Sequence, residues 1–399
     1  MKTLRLLAAA LLSAGLLNIA AAQQVSAGAA KPLKEASDLL HAGKAREALA
    51  KLNGVTTAGP NDVYMVARLK GAAYQKLGDN VAAAQQLEGA FNTGKVPSSE
   101  TGQLAVAIAA AYEQAGNHAK VQQWLEKARA AGDNSQALRD LQAYEQASSG
   151  DYKTIARDAE ASIRAAEAAG RKPAENDLLR LADAYRHTGN KVGDLQVKEK
   201  LVLNYPTQQY TGIYLGDLPG KPSFSARYAL DVMRLRLASG NITTAADYME
   251  LGQLLLQAGM ATEAKTVVDK GYAANVLGTG AEAARQQRLR DLANHSVDEE
   301  KASIAKRAAD AASQKDGNAL VQIGMEYASM GEYEKAIEMI QEGIAKDTLK
   351  HPEDAKLRLG VAMLQSGKMN QKAIAELRSV QGTDGAPEIA RLYSVIYAK

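Results

Sequence analysis

Nine residues between Leu320 and Gly343 constrain the fold more than anything else in this chain. Leu320, Ile323, Gly324, Tyr327, Gly331, Tyr333, Ala336, Ile340 and Gly343 follow one another at spacings of 3, 1, 3, 4, 2, 3, 4 and 3. Steps of three and four align side chains along one face of a helix. Gly331 supplies a break between two such helices, because glycine accepts the left-handed backbone that ends the first. The unit reads as a helical hairpin with small residues, Gly324 and Ala336, where its helices cross closely. One hairpin cannot bury its own apolar face, so such units must stack.

The register recurs along the chain. Gly71, Tyr74, Gly78, Ala83, Leu87 and Ala90 repeat it, as do Ala109, Tyr112, Gly116, Val121, Leu125 and Ala128. Leu178, Leu181, Ala182, Tyr185, Gly189 and Leu201 form another copy, closed by Pro206, and Leu251, Gly252, Leu255, Gly259, Ala264 and Val268 a further one. Partial copies stand at Leu39, Gly43, Ala48 and Leu52, and at Leu359, Gly360, Met363 and Gly367, the latter with one extra residue before Ala373. These spacings resemble the tetratricopeptide (TPR) repeat. The resemblance implies an all-α, TPR-type α-solenoid, a right-handed superhelix of about ten helical hairpins plus a C-terminal capping helix near 386–397. The hairpins are expected at 32–54, 61–92, 98–131, 134–169, 174–204, 207–239, 243–275, 279–313, 317–347 and 352–380. Strands are not expected.

Two stretches depart from the pattern. Six residues run from Tyr144 to Gly150 where four are wanted, so the first helix of that hairpin should be longer or kinked. The segment 205–228 carries Tyr205, Tyr210, Tyr214, Phe224 and Tyr228 among Pro206, Pro219 and Pro222. It reads either as an atypical hairpin whose aromatics fill the core, or as a hinge or aromatic ligand patch. The chain accordingly divides into an N-terminal array at 32–204, an irregular Tyr/Pro-rich segment at 205–222, and a C-terminal array with capping helix at 223–399.

Residues 1–22 read as a secretory signal peptide. Lys2 and Arg5 precede an apolar run from Leu6 to Leu17, and Ala20 and Ala22 are the small residues of a cleavage site before Gln23. Residues 23–31 are small and polar and read as a disordered leader. No later segment approaches membrane-span length, so no integral membrane segment is expected after cleavage, and the export signal on a chain without cysteine points to the periplasm as its address. The chain has no cysteine, which excludes disulfides, thiolate metal sites and lipidated cysteine. Its 48 Lys and Arg against 45 Asp and Glu are too balanced for a nucleic-acid binder working by charge.

Chemical motifs are few. Gly89 to Lys95 follows part of a phosphate-binding loop, but Val96 stands where a hydroxyl should hold magnesium. Gly278-Thr279-Gly280 with Ala283 lacks the preceding strand of a dinucleotide site. His41, His118, His187, His295 and His351 are far apart and read as exposed residues, several at turns. The alternating charges Arg285, Arg288, Arg290, Asp298, Glu299, Glu300 and Lys301 read as a solvated face. No catalytic residue, cofactor or metal is expected, and the chain is not expected to be an enzyme.

In TPR proteins the first helix of each hairpin lines the concave groove, with positions 2, 5, 9, 12 and 13 of the repeat facing in. Carried over by register, the candidates are Met65, Arg68, Gln75 and Lys76, then Gln103 and Glu113. Further along they are Asn176, Asp183, Arg186 and His187, then Asn318 and Met325. Position 9 carries Ala72, Ala110, Asp183 or Met325, not the asparagine of adaptors that clamp a C-terminal carboxylate. The groove is mixed and mildly polar, which suits an extended polypeptide segment or another folded protein.

Stretches beyond the repeats carry a narrower resemblance. Leu230-Asp231-Val232 through Leu237-Ala238-Ser239-Gly240-Asn241, Ala246 to Met249, Val276 to Glu282 and Ser379 to Gly385 look like those of exported TPR proteins of Gram-negative proteobacteria. That resemblance implies a periplasmic scaffold or adaptor that binds envelope proteins through its groove. The alternative is a soluble periplasmic component of exopolysaccharide or envelope-polymer export. A third reading is a small-ligand or catalytic role for the aromatic segment 205–228.

Overall fold

The computed structural model describes residues 25–148 and 150–397; the expected signal peptide lies outside them. Every regular element among the described residues is helical, and none is a strand. The chain forms two compact units, 1–155 and 156–399, each an all-α stack of helical hairpins.

The first unit contains α1 (Ala27–His41), α2 (Ala45–Asn53), α3 (Pro60–Leu77), α4 (Asn80–Asn92), α5 (Thr101–Gln114), α6 (His118–Ala130), α7 (Gln136–Ser148) and the start of α8 (Tyr152–Ala168). Helices pair in sequence order, α1 with α2, α3 with α4 and α5 with α6, while α2 on α3 and α4 on α5 join the pairs. Leu33, Leu40, Tyr64, Leu69, Leu87, Ile108 and Trp124 fill one continuous core. Phe91 meets Trp124 edge to face at 4.8 Å. Residues 27–31 are not a disordered leader: they form the first turn of α1, because Ala29 and Leu33 are fully buried. Ser26 anchors that end through its N–H and hydroxyl, both donated to the buried Asp62 at 2.9 and 2.7 Å. Gly89 to Asn92 are the last residues of α4 and Gly94 turns out of it at φ 68°, so the phosphate-loop pattern is a helix end and its turn.

The second unit continues with α9 (Glu175–Thr188), α10 (Lys191–Asn204), α11 (Gln208–Asp217), α12 (Ala229–Ala238), α13 (Ala245–Gln257), α14 (Ala261–Ala273) and α15 (Ala283–Ser313). It ends with α16 (Gly317–Ser329), α17 (Tyr333–Ala345), α18 (Pro352–Gln365), α19 (Asn370–Ser379) and α20 (Ala386–Ile396). The stretch 279–313 corrects the expectation of a hairpin, since α15 is one continuous helix of 31 residues. No glycine or proline occurs from 283 to 316 to interrupt it. Its stripe of Leu289, Ala293, Val297, Ile304 and Ala311 is buried along the whole length.

The small residues stand where helices touch. A Cβ on Gly324 would lie 2.5 Å from the Ile340 side chain and 2.9 Å from the Ala336 carbonyl oxygen. Gly71 would meet Leu87, and Gly360 would meet Leu377, both at 2.6 Å. In these three hairpins the crossing sets the eighth residue of the repeat beneath the large residue near position 24. The turn follows suit. Gly331 has φ 79°, and the next amide, of Glu332, donates back to the Tyr327 carbonyl at 2.9 Å.

The segment 205–222 forms α11 and a short turn, and one side of it faces the second unit's core. Tyr214, Leu215 and Leu218 are buried with Tyr228, Val232 and Leu235 in its core. Helix α20 packs on α18 and α19, as a cap would, and also on α10 and α12. Charged side chains secure that return. Arg358 of α18 pairs with both oxygens of Asp231 on α12, a carboxylate with no exposed surface, with one bond at 2.7 Å. Tyr393 of α20 donates to the same carboxylate at 3.2 Å. Arg391 reaches Glu199 at 2.7 Å, and Arg227 reaches Asp354 at 2.7 Å.

Two substitutions test these constraints by urea unfolding. In Gly324→Ala the new methyl meets a backbone oxygen that cannot yield. Overpacking of about 1–3 kcal/mol should exceed the ~1 kcal/mol that alanine gains in helix propensity. Asp231→Asn leaves the Arg358 guanidinium buried beside a neutral partner, and should destabilise by about 3–5 kcal/mol. The double change Asp231→Leu with Arg358→Met should cost less than either single loss of charge.

Candidate functional site

The twelve register positions divide by what surrounds them. In the first unit Met65 is buried in the core, and Arg68 is held by the Tyr64 hydroxyl at 2.7 Å and Glu100 at 2.6 Å. Gln75 is half-buried, while Lys76 and Gln103 are exposed. In the second unit Asn176, Arg186 and His187 are exposed along α9, and Arg186 pairs with Asp183 at 2.8 Å. Asn318 binds chain rather than facing out: its side chain accepts from the Lys350 amide at 3.1 Å and donates to the Thr348 carbonyl at 3.3 Å. Met325 packs against the Leu251–Leu255 core. The structure thus gathers Asn176, Asp183, Arg186 and His187 on one helix.

Two apolar side chains join that face. Leu179 of α9 and Ile213 of α11 are 39% and 45% exposed, large side chains left in water. One side-chain hydrogen bond links the helices that carry them, the Tyr210 hydroxyl donating to Glu175 at 2.6 Å. Leu179 lies four residues after Glu175 and Ile213 three after Tyr210, so each stands one turn from that bond on its own helix. Leu179 falls at position 5 of its repeat, a groove position, whereas Ile213 lies in 205–228, which lacks the spacing.

A second constellation was only half legible. Glu113, the penultimate residue of α5, is buried at 8% exposure. The turn through Gly116, with φ 73°, brings His118 to the first position of α6, directly below it. The Asn117 side chain caps α6 by accepting from the Lys120 amide at 3.2 Å. Helix α7 then presents Glu145, 6% exposed, to the same point. His118 Nδ1 stands 3.1 Å from Glu145 Oε1 and 3.4 Å from Glu113 Oε2. Burial, and then the neighbouring Glu145 carboxyl, push the Glu113 carboxyl up to about 7. The hydrogen bond to Glu145, and then the charge of both carboxylates, raise the His118 imidazole. His118 is exposed as expected, but it is not an isolated turn residue. Glu145 continues the buried stripe of Leu138 and Leu141, and an acid on an apolar face was the signal available in the sequence. Other single residues are corrected too: Glu300, read as part of a solvated face, is buried and accepts from the Thr262 hydroxyl at 2.6 Å.

The second unit also encloses a cavity of about 520 Å³ between α10, the 218–222 turn and α20. Leu195, Glu199, Tyr214, Lys221, Pro222 and Glu388 line it. Asp194 Oδ1 and Glu388 Oε2 are buried there without hydrogen-bond partners, and the buried Tyr214 hydroxyl has only a poor contact with Glu199. Burial drives the Tyr214 phenol far above its ordinary value, so it stays neutral.

No protein-family profile matches the chain. No curated protein matches it. Among solved structures, yeast Tom70 aligns over 93% of this chain and 95% of its own, at 13% identity and a TM-score of 0.25, a likeness from which nothing is carried over. The assignment to an all-α repeat stack rests on the helices and crossings described above.

Because the buried Tyr214 hydroxyl makes only a poor contact with Glu199 and no well-formed hydrogen bond, Tyr214→Phe should change stability by less than about 1 kcal/mol in urea unfolding. A clear loss would show that the hydroxyl is bound in solution.

Proposed function

We propose that this chain is a TPR-type scaffold that holds an extended polypeptide against the first helices of its second unit, and that it works in the periplasm after signal cleavage. The observation that carries the first part is the pair Leu179 and Ile213, both exposed on helices linked by the Tyr210–Glu175 bond, with the charged pair Asp183–Arg186 on the helix of Leu179. Two apolar anchors with charges beside them suit a segment of alternating apolar and polar side chains. The periplasmic part rests on the charge, apolar run and small residues of 1–22.

The cavity favours a second reading. Its unpartnered acceptors would be satisfied by a ligand rich in hydroxyl donors, which fits the envelope-polymer alternative.

The test is a crosslinking pull-down from envelope extract with the tagged chain, wild type against Leu179→Asp with Ile213→Asp. The expected result is a partner captured by the wild type and lost by the variant, whose circular dichroism is unchanged. A partner held equally by both would overturn the assigned face, and oligosaccharide binding with no protein partner would establish the second reading. Fractionation of cells making the full chain should find it in the periplasmic fraction with Gln23 as its first residue. Retention of Met1 in the cytoplasm would end the periplasmic part.

A further inference from the structure

We propose that Glu113, His118 and Glu145 form a divalent-metal site, best matched to zinc, that ties α7 to the α5–α6 hairpin of the first unit. The three side chains come from three helices and place one ligand atom each within 4.8 Å of one another. Zinc binds imidazole nitrogen and carboxylate oxygen at about 2.0–2.2 Å in a tetrahedron, so neighbouring ligands stand about 3.3–3.5 Å apart. The two separations from His118 Nδ1, 3.1 and 3.4 Å, approximate that edge.

An independent observation points to a missing occupant. Glu113 Oε2 is buried and makes no well-formed hydrogen bond, its polar contact being a loose one of 3.4 Å to the His118 imidazole. Two carboxylates buried side by side repel one another unless a proton or a cation lies between them. A divalent ion neutralises both and uses that loosely held oxygen. Magnesium and calcium are poorer fits, since they favour six or more oxygen ligands and this set is small and includes nitrogen. The imidazole is mostly exposed, which leaves the fourth position to water.

The placement gives the ion a purpose. The buried apolar residues of α7 are only Leu138 and Leu141, so packing alone holds this helix lightly. A metal joining Glu145 to Glu113 and His118 would contribute its binding energy to the docking of α7. The site is thus structural, and no reaction is assigned to it.

The test uses the purified chain without an oligohistidine tag, stripped with chelator and titrated with zinc chloride, and separately with magnesium chloride, by calorimetry. One zinc per chain is expected, with no comparable heat from magnesium and a raised melting temperature. His118→Ala removes an exposed side chain and should fold, but weaken zinc binding by about tenfold or more and abolish the thermal shift. That expectation is a floor, because even groups that only orient a ligand are worth 10–100-fold. Glu113→Gln should act alike, whereas His295→Ala, at an exposed histidine beside a single acid, should change nothing. X-ray absorption should show nitrogen and oxygen at about 2.0 Å with one imidazole. No zinc uptake, or uptake indifferent to His118→Ala, would overturn the site and leave a carboxyl pair that shares a proton beneath a histidine.

Discussion

Two helices can cross at close range only where one of them has almost no side chain, and in this chain Gly71, Gly324 and Gly360 each meet that condition. At Gly324 the space a Cβ would need is already taken by Ile340 and by the Ala336 carbonyl. The large side chains on either side of the crossing are then turned outward, away from the hairpin's own interior. They find partners only on the next hairpin, which is why α2 packs on α3 and α4 on α5. The small residue is local, and the stack is its consequence.

Stacking alone would leave the second unit with an open end. Instead Arg358 and Tyr393 converge on Asp231, joining residues 127 and 162 positions apart. Ordering so long a loop costs entropy, though the cost grows only with the logarithm of its length. A buried ion pair tolerates a single register, because any slip leaves a charge without its partner in a dry interior. Apolar contacts between α20 and α12 would accept small slides. The Asp231 carboxylate does not, and so it selects the helices that meet. Arg391–Glu199 and Arg227–Asp354 repeat that selection nearer the surface.

These two levels differ in how far the sequence exposes them. The hairpins were legible because their information is local: spacings of three and four, a small residue, a glycine. The extra residue before Ala373 even appears as a shift of one in the partner of Gly360, which is Leu377. The hairpin expected at 279–313 failed because the repeat count was extended across a stretch with no turn residue. The return of α20 onto α10 and α12 was not legible, since nothing near Arg391 or Tyr393 names Glu199 or Asp231. The same holds for the candidate sites. Glu113 came from register, and His118 from its residue type. Their meeting with Glu145 depends on where α7 lies.

Residues that break a local rule therefore carry more functional information here than residues that obey one. Glu145 on the buried stripe of α7, the poorly bonded hydroxyl of Tyr214 and the exposed Leu179 and Ile213 each oppose the burial expected of their type. A fold of stacked hairpins gains nothing from any of them, since alanine or leucine would serve Glu145 and a charged residue would serve Ile213. Buried polar atoms that lack well-formed bonds ask for an occupant that brings charge or donors. Exposed apolar side chains ask for one that brings apolar surface. Glu113, His118 and Glu145 lie in the first unit, and Leu179 and Ile213 in the second. The proposed metal site and the proposed docking residues therefore fall in different units, and each is tested by its own substitutions.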